Sequence, residues 1–129
     1  MKIYLAARYS RREELVAYAT MLHKLGHEVT STWLDSNYEG SDYESTHCPP
    51  EDRARIATCD FRDIMLCNML IHFTEEPRNG SRGGRHVEMG IALGLMKRVA
   101  IVGPAENIFC FHEDVRRFDN FDDLIERGL

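Results

Sequence analysis

Apolar positions along the chain fall into short runs that alternate with longer stretches of helical period. Lys2 to Ala7 is apolar and bounded by charge, which suits a buried first strand. Ser10 is placed to cap a following helix, on which Leu15, Tyr18, Ala19, Leu22 and Leu25 make one stripe that Gly26 stops. His27 to Trp33 then reads as a second strand. A strand, a helix and a strand within about thirty residues form a parallel crossover unit. The loop after the first strand is therefore a natural ligand site, because ligands bind beyond the carboxyl ends of such strands.

From Leu34 to Cys48 the chain is polar and without period, and a loop of that length in a small domain is functional or mobile. Tyr38, Tyr43 and Trp33 fit two readings equally, as a stacking surface for a base or as aromatic residues of an irregular loop. Pro49-Pro50-Glu51-Asp52 opens a helix that runs to Cys67. Asn68 to Phe73 is a third strand, and the polar segment Thr74 to Arg82 is a loop. Val87, Ile91, Ala92 and Leu95 recur at the spacing of one buried helix face. Arg98 to Val102 and Val115 to Phe118 supply a fourth and a fifth strand, and a closing helix passes through Asp122, Leu124 and Ile125. This alternation predicts an α/β three-layer sandwich.

Composition narrows the class. The 129 residues fit a single domain, 1–129, with a core that needs no staples. A net charge of -5 argues against general nucleic-acid binding, so an anionic ligand would need a local patch. Cys48, Cys59, Cys67 and Cys110 lack Cys-x-x-Cys spacing and read as reduced thiols, and Cys and His do not cluster as in a zinc site. We expect no metal and no cofactor, since the first strand–helix turn also lacks Gly-x-Gly-x-x-Gly. No apolar run approaches membrane-spanning length, and the expected location is cytoplasmic.

Two carboxylates stand out. Gly83 and Gly84 precede Glu88, which this reading places in the first turn of its helix, where free amides and the partial positive charge favour an ionised carboxylate. Asp60 has Ile56 and Ile64 one turn away on either side, and burial on such a face raises a carboxyl pKa. Asp63 is its rival. On helix logic alone Glu88 also fits an ordinary acidic first turn.

With these residues in place, the sequence resembles the nucleoside 2-deoxyribosyltransferase superfamily, which includes nucleoside 5'-monophosphate N-glycosidases. The resemblance rests on Ile3-Tyr4-Leu5-Ala6, on Asp60 eight residues before Asn68, and on Glu88-Met89-Gly90 followed by Ala92-Leu93 and Lys97-Arg98-Val99. It implies a flavodoxin-like parallel five-stranded sheet with helices on both faces. It also implies that Glu88 is the nucleophile, Asp60 the acid near the departing base, and Tyr4 the residue that orients the glutamate. Chemically, an ionised carboxylate attacks the anomeric carbon, a second acid helps the base to leave, and water or another base resolves the glycosyl-enzyme.

Departures from the family pattern bear on the substrate. The family's Gly-x-Gly-x-Glu becomes Gly84-Arg85-His86-Val87-Glu88, so His86 replaces a glycine and becomes a candidate contact to sugar or base beside Gly84. Six residues before the nucleophile, nucleoside transferases resemble one another in an aspartate and monophosphate hydrolases have serine; this chain has Arg82 after Ser81. Arg and Ser suit a 5'-phosphate that aspartate would repel. Arg8 and Ser10 occupy the loop where the hydrolases hold the same phosphate. The competing reading of Arg8, Arg11, Arg12, Arg82 and Arg85 is solvated surface charge. Asn107 resembles a transferase asparagine that reaches a neighbour's site, which implies a homodimer or larger homo-oligomer with shared active sites. The expected activity is an N-glycosidase acting on a small-molecule nucleotide. A base-exchanging deoxyribosyltransferase and a non-catalytic nucleotide-binding module are the alternatives.

Overall fold

A computed structural model describes residues 1–35, 50–75 and 83–129. Five strands form one parallel sheet: β1 (Lys2–Ala6), β2 (Glu28–Val29), β3 (Met69–Phe73), β4 (Arg98–Val102) and β5 (Val115–Phe118), in the order β2-β1-β3-β4-β5. Four helices connect or close them: α1 (Arg12–Lys24), α2 (Pro50–Leu66), α3 (Gly84–Gly94) and α4 (Phe121–Arg127). The expected three-layer α/β sandwich is the observed one.

Period-two alternation assigns the layers. Ile3, Leu5, Met69, Ile71 and Phe73 pack with Leu15, Leu22, Phe121 and Leu124, which puts α1 and α4 on one face. Tyr4, Ala6, Leu70 and Ile101 pack with Ile64, Met89 and Ala92, which puts α2 and α3 on the other. Tyr18 locks the first layer, with its ring 4.1 Å from Phe121 and 5.4 Å from Phe73 between centroids.

The order reverses at β1, whose neighbours are β2 on one side and β3 on the other. In open parallel sheets the ligand crevice forms outside the carboxyl ends of the strands at such a switch point. β1 carries Tyr4 and α3 carries Glu88, and the two side chains meet on this side of the sheet.

Three local expectations change. The second strand is only two residues long, because the edge of β1 beyond it is satisfied by side chains. Leu5 N–H donates to Ser31 Oγ at 2.6 Å, and the Trp33 indole donates to the Leu5 carbonyl at 2.9 Å. The chain then turns into a 3-10 segment, Thr32–Asp35. Ser10 lies in another 3-10 turn, Tyr9–Arg11, and makes no capping bond to α1, whose N-cap is Arg11. On α3 the buried stripe is Arg85, Met89 and Ala92, whereas Val87 is 64% exposed. Of the expected positions Ala92 is buried and Ile91 half-buried, but the stripe begins with a charged residue, so apolar period alone places its centre too far round the helix.

Gly103 ends β4 with φ of +112°, and a β-carbon there would lie 2.6 Å from Thr74 Oγ1. Gly103→Ala is therefore expected to cost about 1–3 kcal/mol of stability, read by urea unfolding.

Candidate active site

Gly83 caps α3 with φ of 83°, a left-handed conformation that favours glycine. Gly84 is the first helical residue and is exposed, with open space where its β-carbon would be. Glu88 consequently lies beyond the first turn, which holds no acid. It does not face the free amides of the helix start.

Its carboxyl turns inward instead. Fully buried Tyr4 donates its hydroxyl to Glu88 Oε1 at 3.0 Å. Burial first, and the Asp60 charge second, raise the Glu88 pKa from 4.5 to about 8 against the opposing pull of the Tyr4 bond. Asp60, on α2, is raised from 3.8 to about 6 by burial and by Asp63. The sequence led us to expect an ionised Glu88 and a raised Asp60. Both are raised, and Glu88 the more, because burial outweighs the dipole of a helix start that Glu88 does not occupy. Tyr4 is pushed well up by burial and by Glu88, so it stays a neutral donor. The two carboxyls form a coupled pair that holds one proton around neutral pH.

Asp63, the rival, is buried elsewhere. Its Oδ2 accepts from Thr32 N–H at 2.9 Å and from the Thr32 hydroxyl at 2.6 Å.

The start of α3 is anchored by a group that sequence reading left on the surface. Arg85 is buried and donates from Nη2 to both oxygens of Glu106, at 2.9 and 2.8 Å. Glu106 also accepts Glu75 N–H at 2.8 Å. Arg85 Nη1 reaches His86 Nε2 at 2.8 Å, and Asn107 Nδ2 lies 3.2 Å from His86 Nδ1. Asn107 Oδ1 accepts Phe109 N–H and caps the 3-10 turn Ile108–Phe111. His86 and Asn107 therefore contact each other, at the edge of the crevice. The sequence signal for Arg85 was its spacing to Met89 and Ala92.

His72, at the end of β3, is fully buried with neither ring nitrogen partnered, and its ring centroid lies 4.9 Å from that of His86. His72, His86 and Glu106 have ligand atoms within 4.8 Å of one another, a spacing that could suit a metal ion. The Arg85 guanidinium already holds both Glu106 oxygens and faces His86 Nε2. The cluster is thus an ion-paired clasp occupied by its own cation.

In the loop after β1, Arg8 pairs with Glu75 at 3.2 Å, and Ser10 is exposed. Ser81, Arg82, Tyr38, Tyr43 and Cys48 lie outside the described residues. Cys67 and Cys110 are buried, Cys59 is half-buried, and all three are free thiols. Among the described residues, no helix is long and apolar enough to cross a membrane. An open cavity of about 530 Å³ lies at the ends of β4 and β5, lined by Gly103, Pro104 and Arg117 among others, and includes neither Tyr4 nor Glu88. The perturbed carboxyls, rather than concavity, locate the candidate site.

No family model matches the chain, and no curated protein matches it in sequence. Solved structures do. A 2-deoxyribosyltransferase from the psychrotolerant bacterium Bacillus psychrosaccharolyticus superposes with a TM-score of 0.71 at 21% identity, over 96% of this chain and 90% of that one. The CMP N-glycosidase BcmB of Clostridium botulinum superposes with a TM-score of 0.62 at 19% identity, over 98% and 96%. At these identities the likeness is one of fold, a five-stranded parallel sheet between two layers of helices.

Two stability measurements check the electrostatics. The Glu88 pKa is raised on folding, so its favourable contribution is present below 4.5 and is lost as pH rises through about 8. Glu88→Gln should melt a few degrees (roughly 3–6 °C) above wild type at pH 9 and show no such gain at pH 4. His72 is depressed by burial from 6.5 to about 3, so the unfolded chain takes up its proton first as pH falls below 6.5. The His72 contribution falls by up to about 1.4 kcal/mol per pH unit there, against the opposite contribution of Glu88 over the same range, so His72→Leu should gain stability relative to wild type as pH falls below 6.5, read by urea unfolding.

Proposed function

We propose that the protein is an N-glycosidase that cleaves a nucleoside 5'-monophosphate to a free base and a sugar 5-phosphate. The observation that carries this reading is the Tyr4–Glu88 bond beside a second raised carboxyl, Asp60, at the switch point of the sheet. The fold shared with a CMP N-glycosidase and a deoxyribosyltransferase supports it.

In this mechanism the pair enters with one proton. As Glu88 approaches the anomeric carbon it gives up that proton to Asp60, and the Tyr4 hydroxyl stabilises the resulting anion. A Glu88 oxygen forms the bond to C1' as the bond to the base nitrogen breaks. The departing electron pair takes the proton from Asp60. Water, deprotonated by Asp60, then attacks C1' and restores the free glutamate. No step in this sequence requires an electron carrier. Arg8 and Ser10 in the loop after β1, with Ser81 and Arg82, are the groups we assign to the 5'-phosphate; Gly84, His86 and Asn107 border the sugar and base.

Base exchange is the second reading, favoured by the fold likeness to the deoxyribosyltransferase. We further propose that a second copy completes the site. Ile108, Phe109 and Phe111 beside Asn107 are 79%, 66% and 62% exposed, an apolar edge suited to such a contact.

Incubation with a panel of ribo- and deoxynucleoside monophosphates should release free base, detected by chromatography. Glu88→Gln should lower the rate at least about 100-fold, and a variant that retains full base release overturns the reading. The rate should be bell-shaped in pH, highest between about 6 and 8, where the pair holds a single proton. A new nucleotide formed when a second base is added would favour exchange over hydrolysis.

A further inference from the structure

Helix α2 is most deeply buried near its C-terminal end, where Ile64 and the following Cys67 are fully buried and Asp63 is 7% exposed. Earlier in the helix Asp52, Ile56, Cys59 and Asp60 are half-buried, whereas Ala54, Arg55, Ala57 and Thr58 are exposed. Asp60 lies one turn before the deeply buried end, so its orientation follows what grips that end.

That grip comes from the segment that follows β2. Thr30 Oγ1 donates to the Asp63 carbonyl at 3.1 Å, while Thr32 donates twice to the Asp63 carboxylate, from its backbone N–H and its hydroxyl. Backbone and side chain of one residue are thus held by a single short segment. Such a two-point attachment fixes the rotation of a helix as well as its position. Asp60, three residues earlier, is a helical neighbour of Asp63.

We infer that Asp63 is a positioning residue for the Asp60–Glu88 pair: clamped by Thr30 and Thr32, it turns Asp60 toward Glu88 and Tyr4 and places a fixed negative charge one turn away. This rests on the functional reading above. Among the described residues, the Asp63 charge on α2 itself acts on Asp60, and Asp60 in turn acts on Glu88 from α3 and Tyr4 from β1. The segment that holds Asp63 contributes neutral hydroxyls. A neighbouring negative charge disfavours ionisation of Asp60, so Asp63 widens the range in which Asp60 holds a proton for the leaving base. Asp63 touches neither substrate nor reacting atoms in this scheme; it acts through Asp60.

The test is the titration of the Asp60 carboxyl carbon by NMR, in wild type and in Asp63→Asn, which keeps an oxygen for Thr32 and removes the charge. We expect the Asp60 midpoint to fall by at least about 0.5 pH unit, the size of a like-charge effect one helical turn away under water-like screening. The acidic limb of the base-release profile should move down with it, with KM changed less than about twofold. An unshifted Asp60 midpoint in a folded Asp63→Asn protein overturns the inference whatever the activity. If that variant does not fold, Asp63→Ser, which also offers an oxygen to the Thr32 N–H, is read in the same way. A wild-type protein that releases no base, combined with a shifted midpoint, overturns the glycosidase reading and upholds the positioning role.

Discussion

The buried pairing of Arg85 with Glu106 holds the working parts of this protein together. Arg85 belongs to the first turn of α3, Glu106 follows β4, and Glu106 also takes the backbone N–H of Glu75 after β3. One carboxylate therefore ties three chain segments that are distant in sequence. A buried pair of this kind adds little net stability over apolar packing, but removing one partner leaves a charge stranded, at a cost of about 3–5 kcal/mol. Its effect here is registration. It fixes the start of α3 against the sheet, so that Glu88 descends to the level of Tyr4.

Around Glu88 the structure accumulates negative charge rather than relieving it. Asp63 raises Asp60, Asp60 raises Glu88, and all three raise Tyr4. Each step works against folding at high pH, and the core on that face of the sheet must offset it. Among the described residues no cation offsets these shifts, and carboxyls perturbed in this way mark a candidate functional site.

Much of the fold was legible in the sequence because it is written in local pattern. β4 and β5 have the bounds that their apolar runs suggest, and Tyr4 lies on β1 as its position implies. The shortness of β2 was hidden because Ser31 and Trp33 side chains take over backbone bonding, which periodicity does not record. The carboxylates could be picked out by spacing and resemblance, but their order of acidity could not. That order depends on α3 beginning at Gly84, and a shift of a single turn moves Glu88 from the helix start to an interior position. Arg85 and Glu106 were hidden for another reason: their partnership joins residues 21 apart, and a buried arginine looks in sequence like any surface one. His72 is a similar case, a histidine that completes an otherwise apolar strand.

The hold on Asp63 also limits how far Asp60 can stray. Three residues of α-helix rise about 4.5 Å, so Asp60 lies close to the point that Thr30 and Thr32 fix, and a small tilt of α2 turns its carboxyl while hardly displacing it.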